Sequence, residues 1–296
     1  MKRRIGFVIV LLLLVPVGIF PAQAAEPSHP QQNTVDKPDM AGKNVWPLMG
    51  GKASKKDAAA SYYYHAGPIK DAGLSYQESL TLPVKGSYAC KNEIQLRVLA
   101  GMHGFDLNYA LVFGRKKEFV NAMKFLNAEI LGRLKKSDYV NPNMSAAEET
   151  KKLLADITDP RNLEKYKAYW SQQMDANMKN AARDPQLMES LLDQWYGSLI
   201  ESSYVLCNLA LNSTGGDKLY SLFIDYMLRV DALDIRMQEF YNSEYGRALE
   251  QADRKSVFAP IRELIQKKHG LLDRQDIKFI LSAMKKVRAE YVKPCK

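Results

Sequence analysis

His103-Gly104-Phe105-Asp106 is the stretch of this 296-residue chain best equipped for chemistry. Asp106 falls in a series with Leu96, Leu99, Met102, Tyr109 and Phe113, which recur at three- and four-residue steps. That period places a carboxylate on the apolar stripe of a helix. An unpaired carboxylate is costly to take out of water, so Asp106 must find a partner or hold a proton. His103, one turn away, is the nearest candidate partner. In a pocket the two would serve a ligand or a proton transfer. In a core they would form a structural pair fixing helix register, or mark a helix end kinked near Gly104. The structural reading is the plainer one.

Glu201 is the second candidate, within Trp195-Tyr196-Gly197-Ser198-Leu199-Ile200-Glu201-Ser202-Ser203-Tyr204. Gly197, Ser198, Ser202 and Ser203 are small enough to let another helix approach closely. Glu201 would then face a packed interior and meet a basic or hydroxyl partner. Alternatively Gln194, Ser198, Glu201 and Asn208 form one solvated face, and that arrangement is the expected one. Asp225, Asp231, Asp234 and Glu239 suggest a metal, but no Glu-x-x-His or His-x-x-x-His spacing accompanies them. The four histidines, His29, His65, His103 and His269, are dispersed, so no metal or other cofactor is expected. There is no Gly-x-Ser-x-Gly elbow, phosphate-cradling glycine loop or dinucleotide fingerprint. Tyr62-Tyr63-Tyr64-His65 offers rings for stacking on a sugar, although packing against the body is the simpler use. Asn143-Met-Ser145 and Asn212-Ser-Thr214 match the glycosylation acceptor pattern, which has meaning only in a host that glycosylates.

These side chains must be positioned by helices, because strand-like alternation is almost absent. The stripe from Leu96 ends at Gly114, and a second helix carries Phe119, Met123, Leu126, Ile130 and Leu134. Ser145-Ala-Ala-Glu148 is a capping box. Asp159-Pro160 and Asp184-Pro185 each set a capping carboxylate before a helix-compatible proline. The helix from Pro185 runs to Asn212, and Gly215-Gly216 breaks the chain before a long helix through Leu219, Phe223, Tyr226, Val230, Leu233, Met237 and Phe240. Two more helices fit 254–268 and 274–291, with Asp273 as N-cap of the second. A short helix fits 58–64, and Ser79 to Leu82 reads as one short extended piece in a loop. The expected fold is an all-α antiparallel bundle of seven or eight helices with short connections. The hairpin 92–134 has tetratricopeptide-like spacing, but no second copy aligns, so a repeat array is unsupported.

Two segments carry a resemblance. Residues 99–118, including Asp106-Leu-Asn-Tyr109-Ala and Phe113-Gly114, resemble a Leu-Gly-x-Tyr-x-x-Asp-Leu-x-Tyr-Ala motif and its x-x-Tyr-Gly turn in uncharacterised exported helical proteins and lipoproteins of bacteria. Residues 195–204 resemble a second motif of those proteins, Gly-Trp-hydrophobic-Glu-x-hydrophobic-Tyr. The correspondence falls on Asp106, Tyr109, Gly114, Glu201 and Tyr204. It implies a periplasmic setting and a meeting of Asp106 with Glu201 inside one bundle. It brings no activity, and this chain has no lipobox cysteine, so a lipid anchor is not implied.

The first 24 residues read as a secretory signal peptide. Lys2-Arg3-Arg4 leads into the apolar run Ile5–Val15, Pro16 and Gly18 break it, and Ala22-Gln23-Ala24 is a small-residue exit. That run is too short for a membrane span, and the mature chain shows no transmembrane segment. Residues 25–54, with Pro27, Pro30, Pro38 and Pro47, read as a flexible leader, leaving 55–296 as a single helical domain. Cys90, Cys207 and Cys295 remain after cleavage, in oxidising surroundings that favour one disulfide. Cys207 lies in a buried helical run, so Cys90–Cys295 is the favoured pair, worth roughly 4–5 kcal/mol as an upper bound in the chain-entropy picture. The net charge of +9 drops to +6 without the three leader cations. Pairs such as Lys135-Lys136 and Lys285-Lys286 are scattered, as expected of solvated faces, and form no basic-aromatic stripe for nucleic acid.

The sequence therefore points to an exported, non-enzymatic helical binding or interaction protein. His103, Asp106, Tyr109, Glu201 and Tyr204 are its candidate ligand-binding residues, and the partner would be a small ligand or an envelope protein. Two alternatives stand beside it. One is an envelope hydrolase or acid–base enzyme using Asp106 and Glu201 with His103 assisting, which for glycosidic bonds needs carboxyls roughly 5–9.5 Å apart in one cleft. The other is a structural envelope protein whose basic surface touches anionic polymers.

Overall fold

Capping chemistry sets the ends of the helices. The computed structural model describes residues 66–134, 159, 161–162, 165, 184–214, 219, 257–269 and 271–295. Within them lie α1 (Gly67–Asp71), α2 (Glu93–Val112), α3 (Lys116–Phe125), α4 (Pro185–Asn212), α5 (Ala259–Lys267) and α6 (Arg274–Val292). The described residues contain no strand, so this part of the protein is all-α. The signal peptide, the leader, the tyrosine cluster at 62–65, Asn143, the Ser145 box, all but Leu219 of the helix expected through Leu219 to Phe240, and the four acids Asp225 to Glu239 lie outside them.

Asn92 and Gln95 open α2 as a reciprocal pair: the Gln95 backbone N–H donates to the Asn92 side chain at 2.9 Å, and the Asn92 N–H donates back to Gln95 Oε1. Gly114 closes α2 at φ +67°, a left-handed position that glycine occupies without a Cβ penalty. Asp184 caps α4, accepting from the N–H groups of Gln186 and Leu187 with Pro185 in the first turn. Asp273 caps α6 in the same way. Asp184→Ala strands two donors and should cost about 1 kcal/mol in urea denaturation.

Two local expectations need correction. The Ser79–Leu82 piece is extended only in part: Ser79 and Leu80 lie in the 3-10 turn Glu78–Leu80, and extended backbone begins at Thr81. The Leu80 N–H donates to Gln77 O and Thr81 Oγ1 to Glu78 O, so short-range bonds occupy groups a strand would offer to a neighbour. Nor does α2 show a single apolar stripe. Every residue from Leu96 to Val112 is buried, as expected of a helix packed on all sides.

The close partner of α2 is α4. Gly101 sits on the backbone of Gln194, and Gly197 sits on the backbone of Val98. Arg97 of α2 lies 3.5 Å from Glu189 and 3.7 Å from Asp193 of α4, adding charge pairing at the N-terminal half of the crossing. On its other side α4 packs against α6, whose Ile277, Ile280, Leu281, Met284 and Val287 are buried. Arg274 at the start of α6 donates to Leu211 O at the end of α4. At the far end Cys295 is disulfide-bonded to Cys90, its N–H donates to Ser87 O, and Lys91 Nζ reaches Glu290 O. Cys207 is buried and unbridged. No helix among the described residues is long and apolar enough to cross a membrane.

Candidate functional site

The site is built where the loop of residues 75–82 lies across α2. Two α2 side chains bind that loop by its backbone. Tyr109 OH accepts from the Gln77 N–H at 3.0 Å, and Asp106 Oδ2 accepts from the Leu82 N–H at 2.8 Å. The Tyr109 ring lies 4.7 Å from Tyr76 and 5.1 Å from Phe113, and burial pushes its phenol up to about 12. Tyr109 thus holds the loop as a hydrogen-bonding and packing group.

Asp106 is 4% exposed. Its second oxygen, Oδ1, is buried without a hydrogen-bond partner among the described residues. Burial drives this carboxyl well above the usual range and the nearby Glu201 charge adds to the rise, while the Leu82 N–H and Arg288 oppose it. The net direction favours the protonated acid.

Glu201 comes from α4 and is fully buried. Arg288 of α6 holds both its oxygens in a fork, Nε to Oε2 at 2.7 Å and Nη2 to Oε1 at 2.8 Å. The guanidinium lies 4.3 Å above the Tyr204 ring and extends Nη2 to Leu80 O at 3.5 Å. Arg288 therefore ties α4, α6 and the loop together. Burial still raises the Glu201 carboxyl, opposed by this arginine. The solvated face expected on α4 is in fact covered. Gln194, Ser198, Glu201 and Asn208 are all buried, because α2 and α6 close over it.

His103 does not pair with Asp106. Both ring nitrogens are buried without a hydrogen-bond partner among the described residues, and the ring lies 5.4 Å from Phe125. Burial, with the Arg288 charge, pushes its pKa down to about 3, so the imidazole is neutral. Nor is there a helix end at Gly104, since α2 runs unbroken through it.

Asp106 also lines a cleft of about 440 Å³. Buried Leu82, Ala110 and Ala122, half-buried Tyr76 and Thr81, and exposed Glu78, Lys85 and Lys117 are among the residues that line it with Asp106. Of the five candidate ligand-binding residues, Asp106 alone lines this cleft. His103, Tyr109, Glu201 and Tyr204 are not among its lining residues. Arg288, Tyr76 and the two lysines were missed by sequence reasoning. One signal could have found Arg288: it continues the Leu281, Met284, Tyr291 spacing of α6, a cation on an otherwise apolar stripe. No group of three or more histidine, cysteine or acidic residues among those described is arranged to hold a metal. Comparison with protein-family models, curated proteins and solved structures finds no match to this chain.

Asp106→Asn should keep the Leu82 hydrogen bond through its amide oxygen while removing the titration. A carboxyl raised in the folded state weakens folding as pH climbs above its unfolded value near 3.9, until the folded group has also ionised. Glu201, Arg288, Tyr76 and Tyr109 are the charged or titratable groups acting with it there. The variant should match or exceed the parent in stability at pH 8 and fall relatively behind toward pH 4. Denaturant midpoints across that range check it.

Proposed function

We propose that the protein is an exported, periplasmic, non-enzymatic binding module, a helical bundle that holds a small ligand in the cleft between residues 76–85 and the α2–α3 pair. The observation that carries this reading is Asp106, a buried carboxyl that lines the cleft, with one oxygen bound to Leu82 and the other without a hydrogen-bond partner among the described residues. Native buried polar groups are nearly always satisfied, so an unsatisfied carboxyl on a cleft-lining residue supports a ligand at this cleft. The Cys90–Cys295 bridge supports export, since disulfides persist in oxidising compartments. The acid–base alternative is less well supported: Arg288 occupies both Glu201 oxygens, and Glu201 is not part of the cleft lining.

Native mass spectrometry of protein purified from its own periplasm tests the proposal. A bound small molecule that disappears in Asp106→Asn is the expected result. A ligand retained equally by that variant would move the site elsewhere. The denatured mass should correspond to a chain beginning near Ala25 and lacking two hydrogens; an intact leader would remove the export reading.

A second reading, contact with an anionic envelope surface, draws on the outer face of α6, where Lys278, Lys285 and Lys286 are exposed beside a half-exposed Phe279. It requires salt-sensitive co-sedimentation with envelope material, lost on charge reversal of those lysines.

A further inference from the structure

We propose that the outer face of α6 docks on a bilayer of anionic lipid, with its lysines on the phosphate headgroups and Phe279 at the acyl boundary. The inference rests on the second reading above and names the partner as a lipid surface; it is independent of the cleft. It begins from how α6 sorts its residues. Ile277, Ile280, Leu281, Met284 and Val287 are buried, and α6 packs against α4. Lys278, Phe279, Ser282, Lys285, Lys286 and Ala289 are exposed and recur at helical steps, so they form the opposite stripe. Charge is sorted in the same way. Arg288 is turned inward and held by Glu201. Lys278, Lys285 and Lys286, with Lys293 just past the helix, stay outside against Glu290, the one exposed acid of α6. Asp273 and Asp276 at its start lie 3.0 and 3.2 Å from Lys268.

A cationic stripe alone would suit any hydrated polyanion, and the apolar residues beside it decide for a bilayer. Among the described residues the exposed large hydrophobic side chains are Val84, Leu271 and Phe279. Two of these belong to α6 or to the turn that leads into it. Phe279 is 48% exposed within the lysine stripe, and Leu271, 78% exposed, follows Lys267 and Lys268 in the turn. A hydrated polymer offers an exposed ring nothing. The headgroup boundary removes it from water, while neighbouring lysine stems lie along apolar surface and keep their ammonium groups on phosphate. A second copy of this chain is a poor occupant, since the stripe would meet its own charge. The contact is peripheral, because no described helix is long and apolar enough to cross a membrane.

Co-sedimentation of the oxidised mature protein with vesicles tests this. Phosphatidylglycerol vesicles should bind it, salt should weaken the binding, and phosphatidylcholine vesicles should bind it about tenfold less or weaker still. Each lysine at such a surface contributes about fivefold to partitioning, so Lys278→Gln with Lys285→Gln and Lys286→Gln should weaken binding about a hundredfold. The same change at exposed Lys116, Lys117 and Lys124 of α3 removes equal charge and should weaken it by less than about tenfold. Phe279→Trp should give an emission that shifts to the blue on phosphatidylglycerol vesicles and not on soluble polyphosphate. Equal losses from the two triple variants, or Phe279→Trp emission that vesicles leave unchanged, overturn the inference. A dimer broken by the α6 triple change, without vesicle binding, gives the face to a second copy and also overturns it. Polyphosphate binding that the α6 triple variant loses, without vesicle binding, removes the bilayer and leaves the anionic-surface reading standing. No binding to either removes both.

Discussion

Arg288→Ala should lower stability by about 4–5 kcal/mol at neutral pH, the largest effect expected of any change at the site. The fork to Glu201 joins α6 to α4, and Glu201 has no exposure to water. Removing one partner of a buried pair leaves the other charge uncompensated. Glu201 can escape by taking a proton, which bounds the electrostatic part of the penalty. Protonating a carboxyl of ordinary pKa near 4.3 at pH 7 costs about 3–4 kcal/mol. Loss of the guanidinium from the Tyr204 face adds about 0.5–2 kcal/mol. The pH signature follows from the sign of the shift. With the arginine gone, Glu201 rises further above its unfolded value, so the variant loses stability as pH climbs from about 4.3 toward neutrality. Its deficit against the parent should be largest at pH 7 and should shrink by more than half at pH 5 in denaturant titrations. A deficit independent of pH would mean that Arg288 contributes packing alone. Glu201→Gln offers the complementary measurement, since the amide keeps the shape while removing the charge that Arg288 grips.

Gly101→Ala and Gly197→Ala should each cost about 3 kcal/mol or more, or prevent folding. A Cβ on Gly101 would overlap the Gln194 carbonyl and lie 2.8 Å from the Gln194 Cα. A Cβ on Gly197 would overlap the Val98 carbonyl and lie 3.1 Å from the Met102 N. The obstacles are backbone atoms, so no rotamer change relieves them and the helices must separate. That separation would also move Glu201, one turn beyond Gly197, away from its place behind Asp106. Because both glycines serve one crossing, the double variant should cost clearly less than the two singles together. Thermal melts of the three variants, with soluble yield as the coarser readout, decide this. Additive losses would mean that the two contacts yield separately.

Much of this architecture is legible in local chemistry. Asp184-Pro185 and the glycine pair at 215–216 bracket α4, and its observed span is Pro185–Asn212. Asp273 announces α6, and the polar settings of Cys90 and Cys295 against the apolar setting of Cys207 select the bridged pair. Asp106 stands out because a carboxylate interrupts an apolar period. What stays hidden depends on distant segments. Glu201 and Arg288 are 87 residues apart, and Arg288 follows two lysines that read as solvent-facing. Periodicity describes one face at a time, so it finds a stripe on α2 where every face is covered. The cleft is invisible for a related reason: one of its walls is irregular loop, and hydropathy gives such a segment no direction.

The bridge between Cys90 and Cys295 also makes the described helices from α2 to α6 part of a covalent ring. A protease that nicks the ring once, between α3 and α4 for instance, releases no fragment. The product remains one covalently linked species on a non-reducing gel and separates into two pieces only after reduction. Glycine-to-backbone contacts and the Arg288 fork would still hold the nicked halves in register. Ligand binding that survives the cut, and then fails on adding a thiol, would identify the ring as what keeps the severed halves at high effective concentration.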